Sequence, residues 1–262
     1  MELPINIDYT GKVVVVTGAG GLICGAMARA FAQSGAKVAA LDLNEEAVKK
    51  LADELKAEGY TCEGYKADVL DPEALEQVHQ SVIRDLGKCD ILVNGAGGNH
   101  PSATTTNEYL HEVQPNSKTF FDLEADGVDF VFKLNFQGTL LPTQVFAKDL
   151  TEKKSGCILN ISSMNAYTPL TKIPAYSAAK AAVSNFTQWL ATHFAGTGSD
   201  AMQSLPDSLF PHRTEHFCSM MTELPQHVLQ RYLTARLQTV MWMRRSLSEQ
   251  RCFSAMTAVL PL

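Results

Sequence analysis

Residues 12–28 read KVVVVTGAGGLICGAMA, and the way they parse decides the fold. Lys12–Val16 is a short apolar run bounded by polar and glycine residues, which reads as a buried strand. The glycines of Thr17–Ala28 let the backbone approach a pyrophosphate, and the helix that follows offers free N–H groups and the positive end of its dipole. Gly18, Gly20, Gly21 and Gly25 are therefore candidate cofactor contacts. Plain structural turns share this composition, so the meaning depends on what the rest of the chain places beside it.

Outward from that turn, strand-like runs at Lys37–Leu41, Cys62–Lys66, Asp90–Val93 and Cys157–Ile161 alternate with helical patterns. Apolar residues recur at three- and four-residue spacing over Ala26–Gln33, Glu45–Ala57, Pro72–Asp85, Gly127–Asp149 and Ala175–Phe194. Such alternation predicts an α/β, doubly wound (Rossmann-type) parallel sheet with helices on both faces and ligands at the carboxyl ends of its strands. The unusual residues gather at those ends. Asp42 closes the second strand, where a carboxylate can accept both hydroxyls of an adenosine ribose and would repel a 2′-phosphate, favouring NAD over NADP. It could instead cap the helix at Glu45, a part that Asn44 could take equally well. Asp68 and Val69 follow the third strand; Asn94, Gly95 and Ala96, in NGAGG, follow the fourth.

The bulk properties narrow the class. A net charge of −6, a pI of about 5.6 and the absence of a basic block argue against nucleic acid or an anionic membrane as partner. The N-terminal residues carry no signal-peptide pattern, and no run of about 18 apolar residues could span a bilayer. Six cysteines without a CxxC pair argue against a metal site or a disulfide framework and for reduced thiols in a cytoplasm.

The chemistry is concentrated in NISSMNAYTPLTKIPAYSAAK, residues 160–180. Ser163 stands at a strand end, and Tyr176 and Lys180, four apart, share one face of a helix beginning near Ala175. A phenol's reference pKa is about 10, and a neighbouring ammonium would lower it toward working range. The serine hydroxyl could hold the substrate oxygen while the proton moves.

With these residues in place the chain resembles the short-chain dehydrogenase/reductase family over about residues 8–198. The resemblance implies that Ser163, Tyr176 and Lys180 are catalytic, with Asn135 of KLNFQGT supporting the proton relay. It also implies that Tyr176 and Lys180 touch the nicotinamide ribose, and that the intact protein is a homo-oligomer. GAGGNHPSATT (95–105), KTFFDL (118–123) and the 160–180 segment look like the D-mannonate oxidoreductase (fructuronate reductase) branch of carbohydrate metabolism, whose substrate is a keto sugar acid. Leu22 and Cys24 stand where the family usually has glycine, and Gly95 replaces the second Asn of NNAG. Asn99, His100, Asn165 and Lys172 are the candidates to meet the substrate and its carboxylate.

After Gly198 the chain changes character. Residues 199–262 contain no Gly, Lys, Asn or Ile, yet hold six of the eight arginines and six of the nine methionines. One base out of register, the same DNA permits I-R-C-N-A-I-A-P-G-F-F from Gly198 and N-V-D-A-E-E-L-V-G-T-A-V-F-F from Val240, which look like the family's missing elements. Residues 199–262 are therefore expected to be an atypical, out-of-frame or poorly ordered tail, leaving 1–198 as the dinucleotide-binding and catalytic domain without its last two strands. A nucleotide-binding remnant that turns nothing over is the alternative to an active enzyme.

Overall fold

In the computed structural model, which describes residues 8–112 and 114–204, the four valines of the opening stretch lie in β1 (Val13–Thr17). Around it are β2 (Lys37–Asp42), β3 (Cys62–Lys66), β4 (Ile91–Asn94), β5 (Gly156–Ile161) and β6 (Ser199–Ser204). All pair in parallel, in the order β3-β2-β1-β4-β5-β6. The order reverses between β1 and β4, so their carboxyl ends open a crevice at the switch point.

β1 is buried on both faces, which is why it reads as a continuous apolar run rather than an alternating one. Val14 and Val16 pack with Cys24, Ala28 and Ala32 of α1 (Leu22–Gln33) and Val48, Leu51 and Leu55 of α2 (Glu45–Ala57). Val13 and Val15 face the opposite way. They pack with Leu75 and Val82 of α3 (Pro72–Asp85) and Phe146 and Leu150 of a later helix.

The pattern over residues 127–149, read as one helix, is three pieces. α4 (Ala125–Phe132) passes into a π-helical turn, Lys133–Gln137, before α5 (Gly138–Lys153) resumes the α spacing. A π turn inserts one residue without disturbing the apolar period enough to be seen, and such turns cluster at functional sites. α6 (Pro174–His193) opens on Pro174, whose missing N–H costs nothing at a helix start.

The expectation that the sheet lacks its last two strands is corrected for the first of them. Ser199–Ser204 forms β6 in parallel register with all of β5, from Gly156↔Ser199 to Ile161↔Ser204. Ladder bonds use the main chain, so SDAMQS, without Gly or Pro, closes the edge whatever its side chains. The strand leading to Ser163 is thus paired on both sides; of the neighbouring helix's apolar residues Leu190 is buried and Phe194 packs against the core, whereas Trp189 stays exposed. The rest of the expected tail, 205–262, lies outside the described residues.

Candidate active site

At the crevice, Gly18 has φ +71°, and a Cβ there would stand 2.8 Å from the Ala96 nitrogen. Only glycine allows the turn and the 95–98 loop to approach so closely. The Gly21 N–H closes the turn on the Gly18 carbonyl (3.0 Å), and Gly21 caps α1 without any side-chain bond, leaving the first N–H groups of a 12-residue helix free for an anion. Gly25 lies inside α1, where a Cβ would meet the Ala19 carbonyl at 3.0 Å, so its missing side chain lets the helix sit close against the glycine turn.

Asp42 Oδ2 accepts from the Gly20 N–H (3.0 Å) and Oδ1 from the Asn44 N–H (2.9 Å). The helix cap belongs to Asn44, whose Oδ1 accepts from the Ala47 N–H at 3.2 Å. Asp42 is left beside the glycine turn. Asp68 accepts from the Leu70 N–H, and Val69 is buried against Gly138. The Asn94 amide is turned into the core. Its Nδ2 donates to Thr143 Oγ1 of α5 (2.8 Å) and Asn160 Oδ1 of β5 (2.9 Å), which leaves its backbone as the part at the crevice. Thr17, overlooked in the sequence, takes the Gly95 and Ala96 N–H groups on its Oγ1 at 3.0 and 3.3 Å. A strand-ending threonine gave no signal of that role.

Ser163, Tyr176, Lys180 and Asn135 come together beside this turn and loop. Ser163 is buried at the end of β5 and accepts from the Asn165 N–H (3.2 Å), with its hydroxyl near enough to the Tyr176 phenol to favour the phenolate. Lys180 is buried; its Nζ donates to the Ile161 carbonyl (2.7 Å) and lies 5.7 Å from the Tyr176 ring centroid. Asn135, fully buried in the π turn, donates to the Gly98 (2.7 Å) and Val131 (2.8 Å) carbonyls and accepts from the Gly98 N–H (3.3 Å). A Cβ on Gly97 would touch Asn135 Oδ1 at 2.7 Å and Lys180 Nζ at 3.2 Å, so the loop separates these two groups by one glycine's width.

The lowered phenol pKa expected from Lys180 is not found. Burial raises the Tyr176 pKa, and the neighbouring Ser163 hydroxyl offsets this only in part. Burial also pushes Lys180 down to about 8, while its ammonium is spent on the Ile161 carbonyl.

The profile of the short chain dehydrogenase family matches residues 12–206. An uncharacterized oxidoreductase of Haemophilus influenzae is 52% identical over 199 residues, 76% of this chain and 70% of that protein. The uncharacterized oxidoreductase UxuB of Bacillus subtilis is 45% identical over 196 residues, 75% of this chain and 70% of that protein. The chain belongs to the short-chain dehydrogenase family. Among solved structures, a Haemophilus influenzae protein provisionally named a D-mannonate oxidoreductase, with bound NAD, superposes with a TM-score of 0.76 at 49% identity, covering 79% of this chain and 75% of that one. NAD+-bound xylitol dehydrogenase superposes with a TM-score of 0.68 at 29% identity, covering 76% and 71%.

In this short-chain dehydrogenase the four candidate substrate residues are held by neighbours. Asn99 donates to Thr104 Oγ1 (2.8 Å), and His100 Nδ1 accepts from the Ser102 N–H (3.2 Å) beside the Phe130 ring. Asn165 is buried in the turn after Ser163. Lys172 is paired with Glu108 at 3.0 Å and is not a free cation. Among the described residues no His, Cys, Asp and Glu cluster could hold a metal, four cysteines are free thiols, and no helix is long and apolar enough to cross a membrane.

Proposed function

We propose that this chain is built as an NAD-dependent oxidoreductase acting on a keto or hydroxy sugar acid of the fructuronate–mannonate kind. The observation that carries the reading is the convergence of Ser163, Tyr176, Lys180 and Asn135 on one strand end beside a turn that fits a dinucleotide. The fit rests on three features: the Gly18 position that no side chain could fill, the uncapped α1 terminus and the Asp42 carboxylate freed from capping. The free N–H groups at the start of α1 would take the pyrophosphate, with Gly18, Gly20 and Gly21 letting it approach the backbone, Asp42 would take the adenosine ribose, and the backbone of Asn94, Gly95 and Ala96 the middle of the cofactor, with Asp68 and Val69 flanking the adenine. When bound, the nicotinamide supplies or accepts the hydride at the substrate's carbonyl carbon.

The side chains account for the proton. Because burial keeps the Tyr176 phenol protonated at neutral pH, it can deliver that proton to a carbonyl oxygen that becomes an alkoxide. Ser163, beside the phenol, can hold the same oxygen. Lys180 and Asn135, one glycine apart, bind the ribose and anchor the loop. NADH oxidation with fructuronate tests the substrate, with Tyr176→Phe as the control. Loss of at least about a hundredfold is expected when the only positioned acid is removed. Turnover left intact by Tyr176→Phe would refute the assignment.

A second reading is favoured by the break in composition after Gly198 and by the family match ending at residue 206 of 262. On it, the chain as translated binds NADH yet turns little over, because a misplacement of about 1 Å can cost a hundredfold in rate. Re-sequencing the gene across the codons for Thr197–Asp200 decides this. An extra or missing base predicts full activity only in the frame-corrected protein; full activity in the 262-residue chain would refute the second reading.

A further inference from the structure

The thiol of Cys24 lies beneath the loop that leaves β4. Cys24 is in the first turn of α1 and only 4% exposed. A Cβ built on Gly95 would lie 2.0 Å from Cys24 Sγ and 3.0 Å from the Thr17 carbonyl. The sulfur therefore already fills the space that any side chain at position 95 would need.

The loop has no slack elsewhere. Thr17 Oγ1 holds the Gly95 and Ala96 N–H groups, and Gly18 backs directly onto Ala96. Two residues on, Gly97 lies against Asn135 Oδ1 and Lys180 Nζ, and Gly98 exchanges hydrogen bonds with the Asn135 amide. One end of the loop thus rests on α1 and the other on the catalytic groups. Cys24 and Gly95, two separate departures along the sequence, are one exchange in space: a larger residue in the helix and a smaller one in the loop.

We infer that Cys24 is a positioning residue whose thiol props the 95–98 backbone at the height from which it meets the nicotinamide half of the cofactor, and that Cys24 and Gly95 form a matched pair. The inference rests on the dinucleotide reading above. The thiol acts by volume, since burial pushes it up to about 11 and keeps it neutral at physiological pH.

NADH binding to the full 262-residue chain, followed by fluorescence and calorimetry, tests this without requiring turnover. Gly95→Ala drives a methyl group into the sulfur and is expected to weaken NADH at least about tenfold, the range that overpacking produces. Cys24→Gly leaves the loop unsupported and should weaken binding about three- to tenfold. The double variant should return to within about threefold of the parent, because each change fills the space that the other vacates.

A double variant as weak as the product of the singles, or Gly95→Ala binding like the parent, would overturn the inference. If Gly95→Ala does not fold, the double variant is compared with Cys24→Gly alone. Equal or tighter NADH binding by the double supports the pair, and weaker binding overturns it. Thermal unfolding gives a second readout, with the Tm lost in Gly95→Ala recovered in the double. A folded parent that does not bind NADH would bring down the dinucleotide reading itself, whereas a binding parent with additive variants brings down only the pair.

Discussion

The floor of the crevice and the segments that flank it are held by different physics. The floor comprises the glycine turn, the 95–98 loop, Asn135 and Lys180, and it is fixed by burial, backbone hydrogen bonds and spaces one atom wide. The flanking segments, 99–124 and 164–173, are fixed mostly by exposed side chains. Lys118 Nζ ties the Pro101 (3.3 Å) and Ser102 (3.0 Å) carbonyls to Glu124, and Glu108 holds both Thr171 and Lys172. Tyr109, Phe120 and Phe121 stand in solvent. Exposed pairs are weak and screened by salt, so such a segment can change residues without unfolding. The contrast teaches that the floor tolerates almost no change, whereas the segments beside it can be re-edited cheaply.

The sharpest way to break the contrast is at Gly18. An alanine there must adopt φ +71° and place its methyl 2.8 Å from the Ala96 nitrogen. Backbone strain and overpacking together should cost about 3 kcal/mol or more. Urea unfolding of Gly18→Ala should show a midpoint lowered accordingly with NADH binding lost; an unchanged midpoint would mean that the floor has slack after all.

Lys180 sharpens the comparison through pH. Burial depresses it from the ordinary 10.5 to about 8, so the folded protein holds this proton less tightly than the unfolded chain does. Its destabilising cost is complete below about pH 8 and fades as pH rises to about 10.5, where the unfolded chain also loses the proton. The depression is worth about 3 kcal/mol, against about 1 kcal/mol for the bond to the Ile161 carbonyl. Lys180→Met should therefore be more stable than the parent at pH 7 by about 2 kcal/mol while binding NADH poorly, with the gap closing above pH 8. A variant that is less stable at pH 7 and tracks the parent's pH dependence would sink this account.

The same division explains how much was legible beforehand. α2 and α3 could be bounded, and β1 placed to within one residue, from residues alone, because buried valines, apolar spacing and Asn44 are local. Ser163, Tyr176 and Lys180 were found because strand end and helix spacing fix their meeting. The π turn at Asn135 was not, since its extra residue hides within an ordinary apolar period. The bridge that the Asn94 side chain makes to Thr143 and Asn160 was not legible either, because a polar residue at a strand end looks the same whichever way it faces. The Cys24–Gly95 contact joins residues that are far apart in sequence, which no local pattern reports. β6 was missed because its pairing depends on main-chain atoms rather than on its unusual side chains.

The smallest effect is expected in the flanking segments, and it bears on the substrate. Lys172 is four residues before Tyr176, and its carbonyl accepts from the Thr105 N–H at 2.9 Å, which fastens the 99–124 segment beside the site. Its ammonium is engaged by Glu108, a carboxylate that Thr171 and Lys172 hold below its usual range. A substrate carboxylate would have to take Lys172 from Glu108, and because both side chains are exposed the exchange costs little. Glu108→Gln should shift the Tm by no more than about 1–2 °C. It should tighten fructuronate binding to the NADH-loaded chain about threefold, leave a neutral ketose unaffected, and lose its advantage in 0.5 M salt, where the Debye length falls to about 4 Å. Equal gains for charged and neutral sugars would show that Glu108 acts only as a loop tie and that the carboxylate is received elsewhere.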